Sequence, residues 1–362
     1  MKHLNALNKI PGLGSKKLKL LMSFFSSSKD AWEANFDQLL LSGIPKLLAE
    51  KIVAERPNID VDAEWEKLEK ENIIAASIHD PNYPALLKQI PDHPYLIYMK
   101  GDLSCLDYPL VAIVGSRKLT EYGERVANGF ARDLARNEIC VVSGLAFGVD
   151  AKAHLGALGA KGRTIAVLGN SLDEKSIAPR SNFNLSQNII NNGGLLVSEF
   201  PVETSANVGT FPARNRIMAG MSLGTLVIEA AQRSGSLITA NLTLDYNREV
   251  FAVPGSIFSP QSTGTNMLIK NGAKLVTSIN DVLEELRLNN NKTTKIQEEK
   301  MPKIELTTTE KNVYKILTHE ALHIDRITKL TKLDTSTICS ILAILEIKGA
   351  IKNVGGQNYI LI

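Results

Sequence analysis

Six short apolar runs, most of them stopping at a glycine, restrict this chain more than any other feature. They are Leu110 to Val114 before Gly115, Ile139 to Val142 before Gly144, Thr164 to Leu168 before Gly169, Gly194 to Ser198, Thr225 to Glu229, and Glu249 to Val253 before Pro254 and Gly255. A run without polar alternation is a strand buried on both faces, as in a parallel sheet. Helical stretches at Gly123 to Asn137, Val149 to Leu158 and Ile238 to Tyr246 lie between the runs. The pattern predicts an α/β fold, an extended Rossmann-like doubly wound sheet with helices on both faces.

The two ends read differently. No carboxylate precedes Asp30, while Lys2, Lys9, Lys16, Lys17, Lys19 and Lys29 make the start basic. Residues 4–25 predict two short helices broken by Pro11-Gly12-Leu13-Gly14-Ser15, with Ser15 as the cap of the second. A weaker echo follows at Leu41-Ser42-Gly43-Ile44-Pro45, so a pair of helix-turn-helix units is expected over residues 1–68. Pro81, Pro84, Pro91 and Pro94 forbid long helices and mark a lead-in to the core, taken as residues 73–287. Residues 288–304 are polar and read as a linker. Over residues 305–362, helix patterns at Thr309 to Leu317, Ile324 to Leu330 and Ser336 to Lys348 precede strand-like ends around Gly355-Gly356, which predicts a winged helix-turn-helix.

Composition closes off several function classes. Lys and Arg number 41 against 38 Asp and Glu, a net charge of +3 that does not by itself argue for a polyanion. Cys105, Cys140 and Cys339 are far apart and odd in number, which offers neither a disulfide framework nor a zinc site. With no long apolar run and no apolar leader near Met1, a cytoplasmic protein without membrane contact is expected. The sequence has no G-x-x-x-x-G-K-[ST], no H-E-x-x-H and no G-x-S-x-G, and no nucleophile beside a base. No catalytic residue, metal or cofactor is therefore assigned.

In a parallel sheet, ligands sit beyond the carboxyl ends of the strands. Gly115-Ser116-Arg117 combines two small residues with a guanidinium suited to phosphate, though a tight turn with an exposed Arg would read the same. In Ser143-Gly-Leu-Ala-Phe-Gly-Val-Asp-Ala-Lys-Ala-His154, Asp150 is expected to cap the following helix and to bond His154. The loop from Gly169-Asn170 to Pro179-Arg180-Ser181-Asn182-Phe183 mixes a cation, an amide and a ring, as a single strand requires, with Phe183 equally readable as an edge-of-core residue. Arg214 and Arg216 flank Asn215 near a helix start, and at least one of them is expected to tie down a loop through a carboxylate such as Glu229. Arg233-Ser234-Gly235-Ser236 is a further Gly/Ser loop able to receive phosphate.

IVGSR, SGLAFGVDAKAH, TIAVLGN, FPARNRIMAG, LVIEAAQRSGSLITA and REVFAVPGS, in this order, resemble the bacterial DNA-processing protein A family (DprA, also called Smf) from about Ile73 to Leu286. The resemblance implies a homodimer that binds and protects single-stranded DNA and loads the RecA recombinase during natural transformation and recombination, without being an enzyme. It implies a DNA site at Gly115, Ser116, Arg117, Gly169, Asn170, Arg180, Asn182 and Phe183, with Arg214 and Arg216 bordering or bracing it. Many relatives have Tyr where this chain has Ala178. Ile269 and Leu275 are implied dimer contacts, with core packing as the rival explanation, and Leu244 lies near the implied RecA surface.

Three points stay outside the resemblance. Lys16, Lys17 and Lys19 suit phosphate contact by the first hairpin, which could equally pack on a neighbour. The C-terminal module has seven basic and six acidic residues between 305 and 362 and no arginine in its third helix, which favours protein contact or weak DNA binding. The competing class is a Rossmann nucleotide hydrolase with Glu229 as base, which would need a PGGxGT-like loop where this chain has RSGSLIT.

Overall fold

A computed structural model describes residues 1–207, 209–288, 306–318 and 321–361. Residues 1–289 form one compact unit and residues 290–362 a second. Most of the expected linker, 288–304, lies outside the described residues.

The chain opens with six helices: α1 (Lys2–Lys9), α2 (Ser15–Phe24), α3 (Ser28–Glu33), α4 (Phe36–Leu41), α5 (Lys46–Glu55) and α6 (Val61–Lys70). Both expected hairpins are present, and each turns on a glycine with positive φ, Gly12 at +95° and Gly43 at +84°, where a side chain would be strained. Gly14, not Ser15, occupies the cap of α2, and no side chain bonds there. The helices are joined to the core through Tyr98, a fully buried ring whose hydroxyl donates to Asn5 Oδ1 at 2.8 Å and accepts from Asn8 Nδ2 at 3.1 Å. Lys67 adds an ion pair to Glu203 at 2.8 Å.

The core contains β1 (Ile74–Ser77), α7 (Ala85–Lys88), β2 (Leu96–Gly101), β3 (Leu110–Val114), α8 (Glu121–Arg136), β4 (Cys140–Ser143), α9 (Val149–Gly159), β5 (Thr164–Val167), α10 (Phe183–Asn191), β6 (Leu195–Ser198) and α11 (Thr210–Met221). It continues through β7 (Gly224–Val227), α12 (Ser236–Asp245), β8 (Glu249–Ala252), α13 (Thr263–Lys270), β9 (Lys274–Leu275) and α14 (Ile279–Glu285). The sheet order is β1-β2-β6-β5-β4-β3-β7-β8-β9. The strands from β6 to β9 are parallel, while β1 and β2 form an antiparallel edge that the proline-rich lead-in concealed. Alternate residues of β3 serve opposite faces. Val111 and Ile113 join the cluster with Ala127, Phe130 and Val149, whereas Ala112 and Val114 join the one with Ile217, Met218 and Ala240.

From β3 the chain winds one way through β4, β5 and β6, then returns beside β3 as β7 and winds the other way. The direction reverses between β3 and β7, where an open α/β sheet leaves a crevice for a ligand. No helix among the described residues is long and apolar enough to cross a membrane.

The second unit comprises α15 (Thr308–Tyr314), β10 (Leu322–His323), α16 (Ile324–Thr331), α17 (Thr335–Ile347), β11 (Ile351–Asn353) and β12 (Asn358–Leu361), with β12 central in a three-stranded antiparallel sheet. This is the expected winged helix. Ile338, Ile341, Leu342 and Leu345 turn α17 into its core, leaving Thr335, Ser336, Ser340, Ala343, Ile344 and Ile347 outward without a cation.

Candidate functional site

The β3/β7 crevice is a real cavity of about 580 Å³, walled by Gly115 to Lys118, Phe211, Arg214, Met218, Ser234 to Ser236 and Ile238, among others. Close backbone approaches shape its floor. A Cβ on Gly115 would lie 2.6 Å from Val149 Cγ2, and one on Gly148, already at φ +76°, would lie 2.2 Å from the Ser116 carbonyl. Ser116 locks the turn, its Oγ accepting from the Lys118 amide at 3.0 Å and donating to the Lys118 carbonyl at 2.9 Å. Arg117 thereby projects from the turn, exposed, with its guanidinium 5.3 Å from the Phe211 ring centre.

Arg214 forms the inner wall and is only 4% exposed. Its Nη1 donates to the carbonyls of Gly144, at 2.6 Å, and Val167, and its Nε to Asn215 Oδ1 at 3.2 Å. It therefore braces the ends of β4 and β5. Burial draws the guanidinium down to about 10, still protonated at neutral pH.

Asp150 does not cap its own helix. Gly148 holds that position, and Asp150 Oδ2 instead accepts from the amides of Gly144 at 3.1 Å and Ala146 at 3.4 Å. Its burial pushes the carboxyl up, with Arg214 opposing. His154 does not bond Asp150 either: Nδ1 meets Thr164 Oγ1 at 2.7 Å. Because that hydroxyl spends its proton on the Val141 carbonyl at 2.8 Å, the imidazole is the donor and is neutral.

The expected tie of an arginine to a carboxylate is present, but it joins Arg216 to Glu199 and leaves Glu229 out. Glu229, 2% exposed, accepts from the Thr120 amide at 2.9 Å and the Thr120 hydroxyl at 2.6 Å. Thr120 is the N-cap of α8. An internal carboxylate thus occupies the helix start where a Rossmann dinucleotide would place its pyrophosphate. Glu229, the base named for the hydrolase reading, does not line the cavity.

A second group lies beyond β5. Arg180 is exposed, its Nη1 donating to the Glu174 carbonyl at 2.6 Å and its guanidinium 4.0 Å from the Phe183 ring centre. Phe183 is half-buried and packs on the core with part of its ring, as the edge-of-core reading expects, and leaves the rest of the ring open. Asn182 Nδ2 donates to the carbonyls of Leu145 at 2.9 Å and Ala146 at 3.2 Å, fastening this segment to the loop after β4. Gly169 closes the gap to the first group, since a Cβ there would lie 3.2 Å from Phe211 Cδ1.

Two expected site residues face elsewhere. The Asn170 side chain is fully buried, with Nδ2 donating to the Ser171 carbonyl at 2.7 Å, so it cannot meet a ligand from solvent. Arg216 pairs with Glu199 and lies 4.0 Å from Asp92, facing a hollow of about 320 Å³ shared with Gly14, Lys16 and Lys17. It braces the hairpin side of the core and does not border the β3 crevice. Phe211 and Lys118 were not singled out from the sequence, although both wall the crevice. Phe211 opens the FPARNR run, and a ring beside two arginines was the available signal.

Of the implied dimer residues, Leu275 is 45% exposed on the terminal strand β9, and Ile269 packs half-buried against the core.

Residues 74–287 match the family described as DNA recombination-mediator protein A, and residues 297–357 match the DprA winged helix domain. Protein Smf of Synechocystis is 38% identical over 286 residues, 78% of this chain and 71% of its own. DNA processing protein DprA of Streptococcus pneumoniae is 46% identical over 209 residues, 58% of this chain and 73% of its own. The X-ray structure of DNA processing protein A from Streptococcus pneumoniae superposes with a TM-score of 0.69 at 37% identity, covering 79% of this chain and 98% of that one. A DNA processing protein A structure from Helicobacter pylori, described for its single-stranded DNA binding mode, gives 0.53 at 32% identity, covering 60% and 97%. With the motif order, the switch-point crevice and the C-terminal winged helix all in agreement, this chain belongs to the DNA recombination-mediator protein A family.

Proposed function

We propose that this protein binds single-stranded DNA without strong sequence preference along the carboxyl ends of β3 and β5, and that it does so as a cytoplasmic homodimer that delivers the strand to RecA in recombination and natural transformation. The observation that carries the reading is a pair of exposed arginines, each set over a phenylalanine: Arg117 on Phe211 and Arg180 on Phe183. A guanidinium can grip phosphate, and a ring can stack any base. The two pairs are held together through Asn182 and through Gly169 beside Phe211, so one extended strand could meet both. The DNA-processing relatives and the Helicobacter pylori structure described for its single-stranded DNA binding mode support the same reading. The protein acts by binding and not by turnover.

The test is fluorescence anisotropy with labelled oligo-dT and its duplex form over a salt series, comparing the wild type with Arg117→Ala plus Arg180→Ala. Tight, salt-sensitive binding of the single strand that the double variant loses is the expected result. Binding that survives the double substitution at matched stability would move the contact away from these loops. RecA delivery is tested by RecA filament assembly on strands coated with a single-strand-binding protein, where this protein should shorten the lag.

A further inference from the structure

Along the chain Cys105 and Cys140 stand too far apart to suggest a pair, but the finished sheet sets their side chains together. Cys105 lies in the short helical segment Leu103–Asp107 between β2 and β3, and Cys140 opens β4. Both are buried, 0% and 1% exposed. The Cys105 thiol donates to the Gly193 carbonyl at 3.1 Å, and its sulfur shares a side-chain hydrogen bond with the Cys140 thiol. Neither cysteine belongs to the loops of the proposed strand site.

The surroundings make the two thiols unequal. The hydrogen bond from Cys140, and after it the Arg163 guanidinium, hold Cys105 below the ordinary thiol value against its own burial. Burial pushes Cys140 up. A thiol with thiolate character beside one that stays protonated is the arrangement in which the first is oxidised and the second resolves it.

A buried cysteine is inert where no oxidant reaches it. Here the cover over Cys105 is a single side chain. Arg163 bonds the sulfur, yet its side chain is 32% exposed. Its other side-chain neighbours are Asp102 Oδ2 at 2.6 Å, Ser104 Oγ at 2.6 Å and the Tyr108 ring, and all three residues are themselves partly exposed. Rotation of Arg163 therefore uncovers the sulfur without a change in the backbone.

We propose that Cys105 and Cys140 form a reversible disulfide when the protein meets a hydroperoxide, so that oxidation at this point of the sheet is held as a bond that a thiol can undo. The Cys105 thiolate attacks the O–O bond of hydrogen peroxide, which breaks to leave a sulfenic acid on Cys105 and a hydroxide that takes up the thiol's proton as water. The Cys140 sulfur then attacks the sulfenic sulfur. The S–S bond forms, the S–O bond breaks, and the hydroxyl leaves with the Cys140 proton as a second water. Two thiols give up two electrons and one peroxide accepts them.

The experiment treats full-length protein carrying Cys339→Ser, which removes the exposed third thiol, with hydrogen peroxide, blocks it with iodoacetamide and maps it by mass spectrometry after digestion without reductant. The expected product is one peptide pair joined through Cys105 and Cys140, lighter than the two peptides by two hydrogens and separated by dithiothreitol. Cys140→Ala supplies the second arm by removing the resolving thiol and keeping a small apolar group. There dimedone should trap Cys105 as the sulfenic acid, and longer exposure should carry it to a sulfinic acid that dithiothreitol does not reduce. A joined peptide that forms only after urea has unfolded the chain overturns the proposal, since the fold then contributes nothing. So does Cys105 that reaches sulfinic acid as fast with Cys140 present as without it. The peptide map decides the question by itself should Cys140→Ala fail to fold.

Discussion

Glu229 lays its carboxylate across both donors of Thr120, the amide at 2.9 Å and the hydroxyl at 2.6 Å, from 109 residues away in sequence. The contact joins the end of β7 to the start of α8 and turns the first helix start of the sheet into a structural joint. Glu229→Ala should lower the unfolding free energy by about 1–3 kcal/mol, the cost of leaving a buried donor unpaired. Gly123→Ala should also destabilise, since its Cβ would stand 2.3 Å from Glu229 Oε2. Combined, the two should cost less than their sum, because removing the carboxylate makes room for the methyl. Urea denaturation of the four proteins closes the cycle.

Arg117 is exposed, so Arg117→Ala should leave the melting temperature unchanged and weaken binding to every oligonucleotide sequence alike. The slope of log K against log salt should fall by about 0.7 for one lost phosphate contact on a single strand. Anisotropy at four salt concentrations measures both.

Phe183→Leu keeps an apolar side chain against the core and removes the ring. The expected loss is about 1–3 kcal/mol of strand binding, the usual worth of one stacked base. Arg180→Ala, which uncovers the ring and deletes the cation, should lose binding chiefly through salt sensitivity. A Phe183→Leu protein that binds oligo-dT as tightly as wild type would make Phe183 a core residue only.

His154 gives the protein a definable acid limb. Burial, with Arg214 nearby, holds its imidazole down to about 3 in the folded chain, against about 6.5 for a free histidine. The unfolded chain therefore binds the extra proton between these values. Stability falls as pH drops below about 6.5, by up to about 1.4 kcal/mol per pH unit, and the effect levels off near 3. His154→Gln should flatten this limb by about one proton. Denaturant midpoints between pH 4 and 7.5 report it.

Leu275 sits exposed on β9, the last and shortest strand of the sheet. A two-fold contact across this edge would meet itself, as closed dimers require. Leu275→Glu should halve the mass seen by light scattering, whereas Ile269→Ala should chiefly lower stability because Ile269 packs on the core.

Much of the fold was legible because β3 to β8 are continuous apolar runs that no other element imitates. β1 and β2 were not, since the four prolines between and beside them masked an antiparallel edge. In the site, Arg117 and Arg180 were visible as cations just after strands, which is a local property. The partners of Asp150, Asn182, Arg214 and Glu229 were not. Asn182 and Arg214 bind backbone groups of loops brought close only by the finished sheet, Glu229 reaches a threonine from 109 residues away, and Asp150 turns back onto amides four and six residues earlier in the loop before its helix. Arg216 was misplaced for the same reason. Two positions apart on one helix, Arg214 and Arg216 face different hollows, which their shared motif hid.

Tyr98 carries a consequence for how the chain is made. The hydroxyl that satisfies Asn5 and Asn8 leaves the ribosome 93 residues after Asn5 does. At about 5–20 residues per second, translation holds the docking face of α1 in water for roughly 5–20 s. Asn5 and Asn8 can bond water until that hydroxyl arrives, while Leu4, Ala6 and Leu7 of the same helix are buried in apolar packing. The seam between the helical segment and the sheet is thus built to be closed late.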